Sequence, residues 1–336
     1  MLHMGIDLHK SYSYVVVLDD QGEVVDQRRL NNEEVANYTS GLGKPVRATF
    51  EATRNWQYMY DQLEGRVEEL LMAHPKKVKA IASARIKTDK IDAKILANLL
   101  RVNLLPTAYT PSIDIRDIRD LVRYRYRLVR QRTQVKNRIH CLLVGYPLTL
   151  PTGDLFAKQG IQFLQSVPLR SCHRFALDRD LALLAMLNSS IKESDQRVVQ
   201  EVKANRTARL LTTIPGIGNV TALTLMAEIG AMERFPSPKQ LCSYAGLVPS
   251  TRSSGDKTHH GSITKEGSTW LRMAIVEAAQ STVRYSPYFR RYHAQLAFRQ
   301  GKNAAKVAAA RKILTIAFWM VKRNEPYREK CAQKTS

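Results

Sequence analysis

Three strand-like runs crowd the first thirty residues: Met4 to Asp7, Tyr14 to Leu18 and Val24 to Leu30, with Asp19-Asp20-Gln21-Gly22 between the last two. Links this short permit only antiparallel neighbours, because a parallel crossover needs about a dozen residues or more. The Asp-rich, Gly-ended link is hairpin chemistry. The pattern then alternates. Asn31-Asn32 reads as the cap of a helix starting at Glu33, Val46 to Glu51 as a strand, Trp56 to Leu63 as a helix and Val67 to Met72 as a strand. Asp89 to Arg101 follows as an amphipathic helix with Ile91, Ile95, Leu96, Leu99 and Leu100 on its apolar side. A hairpin followed by β-α-β units predicts a mixed sheet flanked by helices.

Four acids fall where such a domain can use them. Asp7 stands among apolar neighbours in the first strand, where an unpaired carboxylate is costly. Glu51 ends the strand Arg47-Ala48-Thr49-Phe50. Asp89 and Asp92, three apart at a helix start, project from one face. Alone they are better explained by the helix dipole. Together with Asp7 and Glu51 they predict a site for a hard cation, Mg²⁺, which relieves carboxylate repulsion and assists phosphodiester chemistry.

Ile6-Asp7, Phe50-Glu51-Ala52-Thr53 and Lys87-Thr88-Asp89-Lys90-Ile91-Asp92-Ala93 resemble the Asp-Glu-Asp-Asp (DEDD) signature of transposases of the insertion-sequence-110 family. The resemblance implies an N-terminal α/β domain of RNase H-like (RuvC-like) fold, akin to Holliday-junction resolvases, over residues 1–105, with Mg²⁺ on the four acids.

Beyond Leu105 the charge takes over the argument. The 336-residue chain carries 52 Lys+Arg against 30 Asp+Glu, a net charge of +22, while 44% hydrophobic residues exclude a disordered chain. The surplus is concentrated: nine basic residues against two acids between Arg116 and Arg138, and ten against none between Arg284 and Arg323. One such run is usually a solvated helix face, but two on a chain this basic point to nucleic acid. After Pro106, Pro111 and Ser112, residues Ile113 to Leu143 carry an apolar stripe on a basic helix, suited to dimerise on one face and hold phosphates with Arg123, Arg127 and Arg130 on the other. Tyr124 and Tyr126 could stack on bases there or simply pack. A second helical region, Ala176 to Ala204, makes residues 106–205 a long helical coiled-coil arm.

Residues 206–336 form the third expected domain, mainly α. Pro215-Gly216-Ile217-Gly218 between helical patterns resembles the turn of a helix-hairpin-helix, whose glycine N–H groups at Gly216 and Gly218 hold a phosphate; a packing turn is the competing reading. Ser250 to Ser262 is polar and reads as a flexible loop. The run from Ile-Pro-Gly-Ile-Gly through Ala245-Gly246-Leu247 to Ser254-Gly255 and Lys265-Glu266-Gly267 resembles the C-terminal domain of the same transposase family. Carried over, the nucleophilic serine falls on Ser254, with Ser253 its competitor and Arg252, Lys257, His259 and His260 near enough to assist.

The resemblance implies a transposase that cuts and rejoins donor and target double-stranded DNA through a phosphoserine. It also implies a non-coding bridge RNA as guide and a homo-oligomer, dimer or tetramer, in which the serine comes from a second subunit. The alternatives are a Holliday-junction-type nuclease using water directly and a non-catalytic nucleic-acid scaffold. A sugar kinase or ATPase of related fold also begins with Gly-Ile-Asp, but it needs phosphate-binding glycines where Leu8-His9-Lys10 stands. The sequence predicts a cytoplasmic protein: there is no secretory signal or membrane span, and Cys141, Cys172, Cys242 and Cys331 are scattered with no CxxC.

Overall fold

The computed structural model describes residues 1–82, 88–149, 151, 153–254 and 257–329. They fall into two compact units, Met1–Thr110 and Pro111–Ser336.

The first unit is built on a five-stranded sheet of order β3-β2-β1-β4-β5. Its strands are β1 (Leu2–Leu8), β2 (Tyr12–Leu18), β3 (Val24–Asn31), β4 (Val46–Glu51) and β5 (Glu69–Ala73). The hairpin strands pair antiparallel, whereas β1-β4 and β4-β5 are parallel. This is the mixed sheet that the short early links require. Its helices are α1 (Val35–Ser40), α2 (Trp56–Leu63), α3 (Pro75–Ile81) and α4 (Asp89–Arg101).

Side-chain alternation along β1 divides the packing between the two faces. Met4, Ile6 and Leu8 meet Val35 of α1 and Met59 and Leu63 of α2. The opposite face presents Val16 and Leu18 of β2 to Ala93 and Ala97 of α4. The short α3 was not expected, because Val78 is its one buried residue and leaves no periodic signal.

The expected cap at Asn31-Asn32 is corrected. The helix starts two residues later, and the Glu34 carboxylate accepts from the Asn31 N–H at 2.9 Å. Asn32 is buried and its amide donates to the carbonyls of His9 and Lys10 at 3.0 and 3.2 Å, bracing the β1–β2 turn.

In the second unit, α5 (Ile113–Val144) and α7 (Ser171–Ala204) lie along each other. Leu128, Val135, Ile139 and Leu143 share a core with Leu177, Leu184, Leu187 and Ile191, and α6 (Lys158–Ser166) covers it through Leu164. The apolar stripe of α5, expected to serve dimerisation, is therefore filled by α7 of the same chain.

The remaining helices are α8 (Arg206–Thr212), α9 (Asn219–Ile229), α10 (Pro238–Tyr244), α11 (Thr269–Tyr285), α12 (Pro287–Gln300) and α13 (Lys302–Arg323), with a short 3-10 turn at Met232–Arg234. They bury Leu223, Leu225, Leu271, Ile275, Ile313 and Phe318, and Val122 of α5 and Val198 of α7 join this core. The helical pair is thus rooted in the C-terminal bundle.

The polar run expected as a loop forms an antiparallel hairpin of β6 (Pro249–Ser254) and β7 (Lys257–Ile263). Its Ser, Thr and His residues carry no hydrophobic alternation, so composition could not separate this ladder from a loop. Among the described residues no helix is long and apolar enough to cross a membrane. Cys141 and Cys172 are exposed free thiols and Cys242 a buried one; Cys331 lies outside the described residues.

Candidate functional site

The acid site begins with a missing side chain. A Cβ on Gly5 would lie 2.1 Å from the Ala93 carbonyl oxygen and 2.5 Å from the Ala97 amide nitrogen, so α4 rests its backbone directly on β1. Gly5 and Asp7 share a face by strand alternation. The close contact at Gly5 therefore brings the first turn of α4, with Asp89 and Asp92, over the end of β1. Thr88 caps that turn by accepting from the Ile91 N–H at 3.3 Å. The parallel register Gly5↔Thr49, Ile6↔Phe50 sets Glu51 beside Asp7 at the carboxyl ends of neighbouring strands.

Asp7, Glu51 and Asp92 line one cleft of about 260 Å³, together with Lys76, Val78 and Lys79 of α3. Asp89 faces the other flank of Asp7, where it accepts from the Tyr12 hydroxyl at 3.2 Å and lies 3.3 Å from His9 Nε2. His9 Nε2 is also 3.1 Å from Asp7 Oδ2, so the imidazole bridges two of the acids. Ligand atoms of Asp7, His9 and Asp89 all lie within 4.8 Å of one another. Three of the four expected acids therefore share the cleft, and the fourth, Asp89, is joined to Asp7 through His9.

His9 escaped the sequence reading. The Asp7-Leu8-His9 spacing could have found it, because residues two apart in an extended segment share a face. The structure holds it firmly: its carbonyl accepts from Asn32 and Asn55 amides at 3.0 and 2.8 Å, and its ring stacks on Tyr12 with centroids 4.6 Å apart. Burial pushes the Asp7 carboxyl above the usual aspartate range; the His9 imidazole opposes that shift, and the Asp89 and Asp92 carboxylates add to it. Oxygen donors that repel one another fit a hard divalent cation.

A stability test follows from the sign of that shift. A carboxyl whose folded value is raised contributes stability that is fully present below its unfolded value and is lost as pH rises through the folded one. In chelator-treated protein, Asp7→Asn should therefore raise the melting temperature at neutral pH and flatten its fall between acid and neutral pH. Differential scanning calorimetry checks this, and a lower melting temperature in the variant would contradict it.

In the second unit, the hairpin opposes Ser254 to Lys257, Ser253 to Thr258 and Arg252 to His259. The side chains of Arg252, Ser253, Ser254, Lys257 and His260, and the whole of Gly255, lie outside the described residues. The base of the hairpin is a clasp of two glycines. A Cβ on Gly246 would lie 2.2 Å from the Glu266 carbonyl oxygen, and one on Gly267 would lie 2.0 Å from that of Tyr244; both have positive φ. The Ser268 N–H donates to the same Tyr244 carbonyl at 3.2 Å, and the Lys265 N–H to that of Gly246 at 3.1 Å.

Arg123, expected to hold a phosphate, is engaged within the protein. Its Nε and Nη2 donate to Glu228 Oε1 and Oε2 at 2.8 and 3.0 Å, and Glu228 is 1% exposed. Neighbouring arginines of α5 are also engaged. Arg119 donates to the carbonyls of Ala227 and Glu228 at the end of α9, and Arg125 and Arg138 pair with Asp195 and Asp180 of α7. Arg127 and Arg130 are exposed, with no ion pair among the described residues. Tyr126 packs, its ring centroid 5.8 Å from that of Trp270, and burial pushes its hydroxyl above the usual tyrosine range; Tyr124 is exposed.

The Gly216–Gly218 turn joins α8 to α9. Gly216, with φ +83°, is pressed against the α11 backbone, where a Cβ would lie 2.5 Å from the Thr282 nitrogen. Gly218 caps α9 and faces open space.

Residues 4–147 match the family model of the DEDD-type IS110 transposases, described as "Transposase", and residues 208–294 match that described as "Transposase IS116/IS110/IS902 family". The chain belongs to the IS110 family of transposases. The first match contains the four acids, and the second contains the glycine turn, the clasp and the hairpin. The transposase is 27% identical over 332 residues to the transposase for insertion sequence element IS1111A of Coxiella burnetii, covering 97% of this chain and 91% of the relative. It is 25% identical to the transposase for IS1328 of Yersinia enterocolitica, over 95% and 96% of the two chains. The pilin gene-inverting protein of Moraxella bovis is 36% identical over 149 residues, 42% of this chain and 46% of that one. The transposase is thus a DNA recombination enzyme of insertion sequences.

Proposed function

We propose that this transposase cuts and rejoins DNA through a phosphoserine at Ser254, served by an acid cleft that holds Mg²⁺. The observation that carries the reading is the convergence of Asp7, Glu51 and Asp92 in one cleft, with Asp89 joined to Asp7 through His9. Ser254 Oγ gives up its proton as it attacks phosphorus; the Oγ–P bond forms as one DNA P–O bond breaks, and the leaving DNA oxygen takes up a proton to become a hydroxyl. The reverse attack by another DNA hydroxyl rejoins the strand and releases the serine. Mg²⁺, when bound, steadies the developing charge on the leaving oxygen. Lys76 and Lys79 bring positive charge to the same cleft, and His9 positions Asp7 against Asp89. The sheet order 3-2-1-4-5 supports an RNase H-like, RuvC-like reading of residues 1–105, and the α8–turn–α9 unit supports a helix-hairpin-helix that meets a phosphate at Gly218.

In this reading residues 106–205 act as the coiled-coil arm and residues 206–336 as the serine-bearing domain of a cytoplasmic homo-oligomer. Double-stranded donor and target DNA and a bridge RNA are held by phosphate contacts from Arg127, Arg130, Arg252 and Lys257. Wild-type protein incubated with Mg²⁺ and its insertion-sequence ends should yield a denaturant-resistant protein–DNA adduct that Ser254→Ala eliminates. An adduct lost in Ser253→Ala but kept in Ser254→Ala would move the nucleophile by one residue. Recombination without any adduct would establish direct attack by water or a DNA hydroxyl.

A further inference from the structure

The basic run Arg284–Arg323 spans the end of α11, α12 and α13, and one face of α13 is left unburied. Ile313, Leu314, Ala317 and Phe318 turn into the core, while Arg311, Thr315, Trp319 and Arg323 follow one another at four-residue intervals along the outside. Two clefts adjoin that face. One, of about 550 Å³, is lined by Lys239, Val248, Tyr292, Arg311 and Lys312; the other, of about 410 Å³, by Tyr288, Lys312, Trp319, Arg323 and Arg328. Lys312 and Thr315 belong to both, so the clefts form one groove. Among the described residues its one lining carboxylate is Glu325, at the far end.

The aromatic rings decide what such a basic groove takes. Trp319 is 44% exposed, an unusual position for so large an apolar ring, and the Arg323 guanidinium lies 5.1 Å from its centroid. Tyr288 and Tyr292 are near-parallel, 6.4 Å between centroids and 10° between planes. Cations with flat rings between them form a platform for bases whose faces are free, and a duplex hides those faces. From Arg311 to Arg323 the helix rises about 18 Å, the length of roughly five stacked nucleotides. At its other end the groove reaches Val248, the residue before β6, which carries Ser254.

We propose that the α13 groove binds single-stranded DNA, its phosphates on Lys239, Arg311, Lys312 and Arg323 and its bases against Tyr292 and Trp319. The inference deepens the strand-transfer reading and rests on it in taking the strand to be DNA. The groove holds the strand opened at the cut, alongside the hairpin that carries the serine.

The test is equilibrium binding of a fluorescein-labelled, mixed-sequence 12-nucleotide single strand by the full-length protein, followed by anisotropy. Trp319→Ala and Lys312→Glu should each weaken binding by about tenfold, with Trp319→Phe close to wild type and a duplex of the same sequence much less affected. In wild-type protein, the single strand should quench tryptophan emission, and Trp319→Phe should remove most of that quench. Unchanged binding in both Trp319→Ala and Lys312→Glu, or equal losses for duplex and single strand, would overturn the proposal. Tighter binding of the matching RNA strand than of DNA would assign the groove to RNA and overturn it as stated. No cleavage is measured, so failure of the serine mechanism would leave this result standing.

Discussion

Gly5→Ala is expected to destabilise the N-terminal unit by about 3 kcal/mol and to weaken its binding of a divalent cation in the same variant. The added methyl would meet the Ala93 carbonyl oxygen at 2.1 Å and the Ala97 amide nitrogen at 2.5 Å. Both are main-chain atoms of a regular helix, so no side-chain rotation relieves the clash. Helix α4 must lift away from β1, and Asp89 and Asp92 travel with it. Asp92→Asn is the control, since it removes one charge from the cleft without moving the helix and should lower cation affinity with little loss of stability. Urea unfolding and calorimetric titration with Mn²⁺ read the two effects separately. A Gly5→Ala protein with wild-type stability and wild-type affinity would show that the contact between strand and helix does not set the site.

Arg123→Ala is expected to cost about 3–5 kcal/mol of stability in the second unit, the range for removing one partner of a buried ion pair. The variant leaves the Glu228 carboxylate, 1% exposed, with the Ser268 hydroxyl at 2.8 Å but without its guanidinium. Arg123 also ties α5 to α9, two elements distant in sequence. Replacing both partners by methionine should recover most of the loss, because two apolar side chains bury no uncompensated charge. Urea unfolding of Arg123→Met, Glu228→Met and the double variant measures the coupling. An Arg123→Ala protein of unchanged stability and weakened DNA binding would return Arg123 to the phosphate-contact set.

These two residues also mark how far the sequence could be read. Around Gly5 nearly everything was local: strand alternation places Asp7, and a threonine before two acids three apart announces a capped helix, observed over Asp89–Arg101 as expected. The reason for Ala93 in that motif was hidden, since it concerns a glycine remote in the chain. Arg123 was illegible in the same way. Its neighbours suggest a phosphate-binding face, and only the folded chain reveals Glu228 opposite it. Asn32 has the residue type of a helix cap, yet its amide is spent on the turn after β1. For the polar hairpin, backbone pairing overrides a composition that resembles a loop. Local chemistry is legible from neighbours along the chain; charge pairing and close backbone contact depend on residues that only folding brings together.

The glycine clasp beneath the hairpin has a mechanical consequence. Because Gly246 and Gly267 fix the two legs at their feet, the length of the ladder above them is set by residue count. Adding one residue to each leg advances the tip by about 3.4 Å and turns the opposite face of the ladder outward. Adding two advances it by about twice that and restores the original face. Reach and aim are thus quantised together, and insertions in matched pairs are the route by which such a hairpin can lengthen its stride while still presenting the same edge.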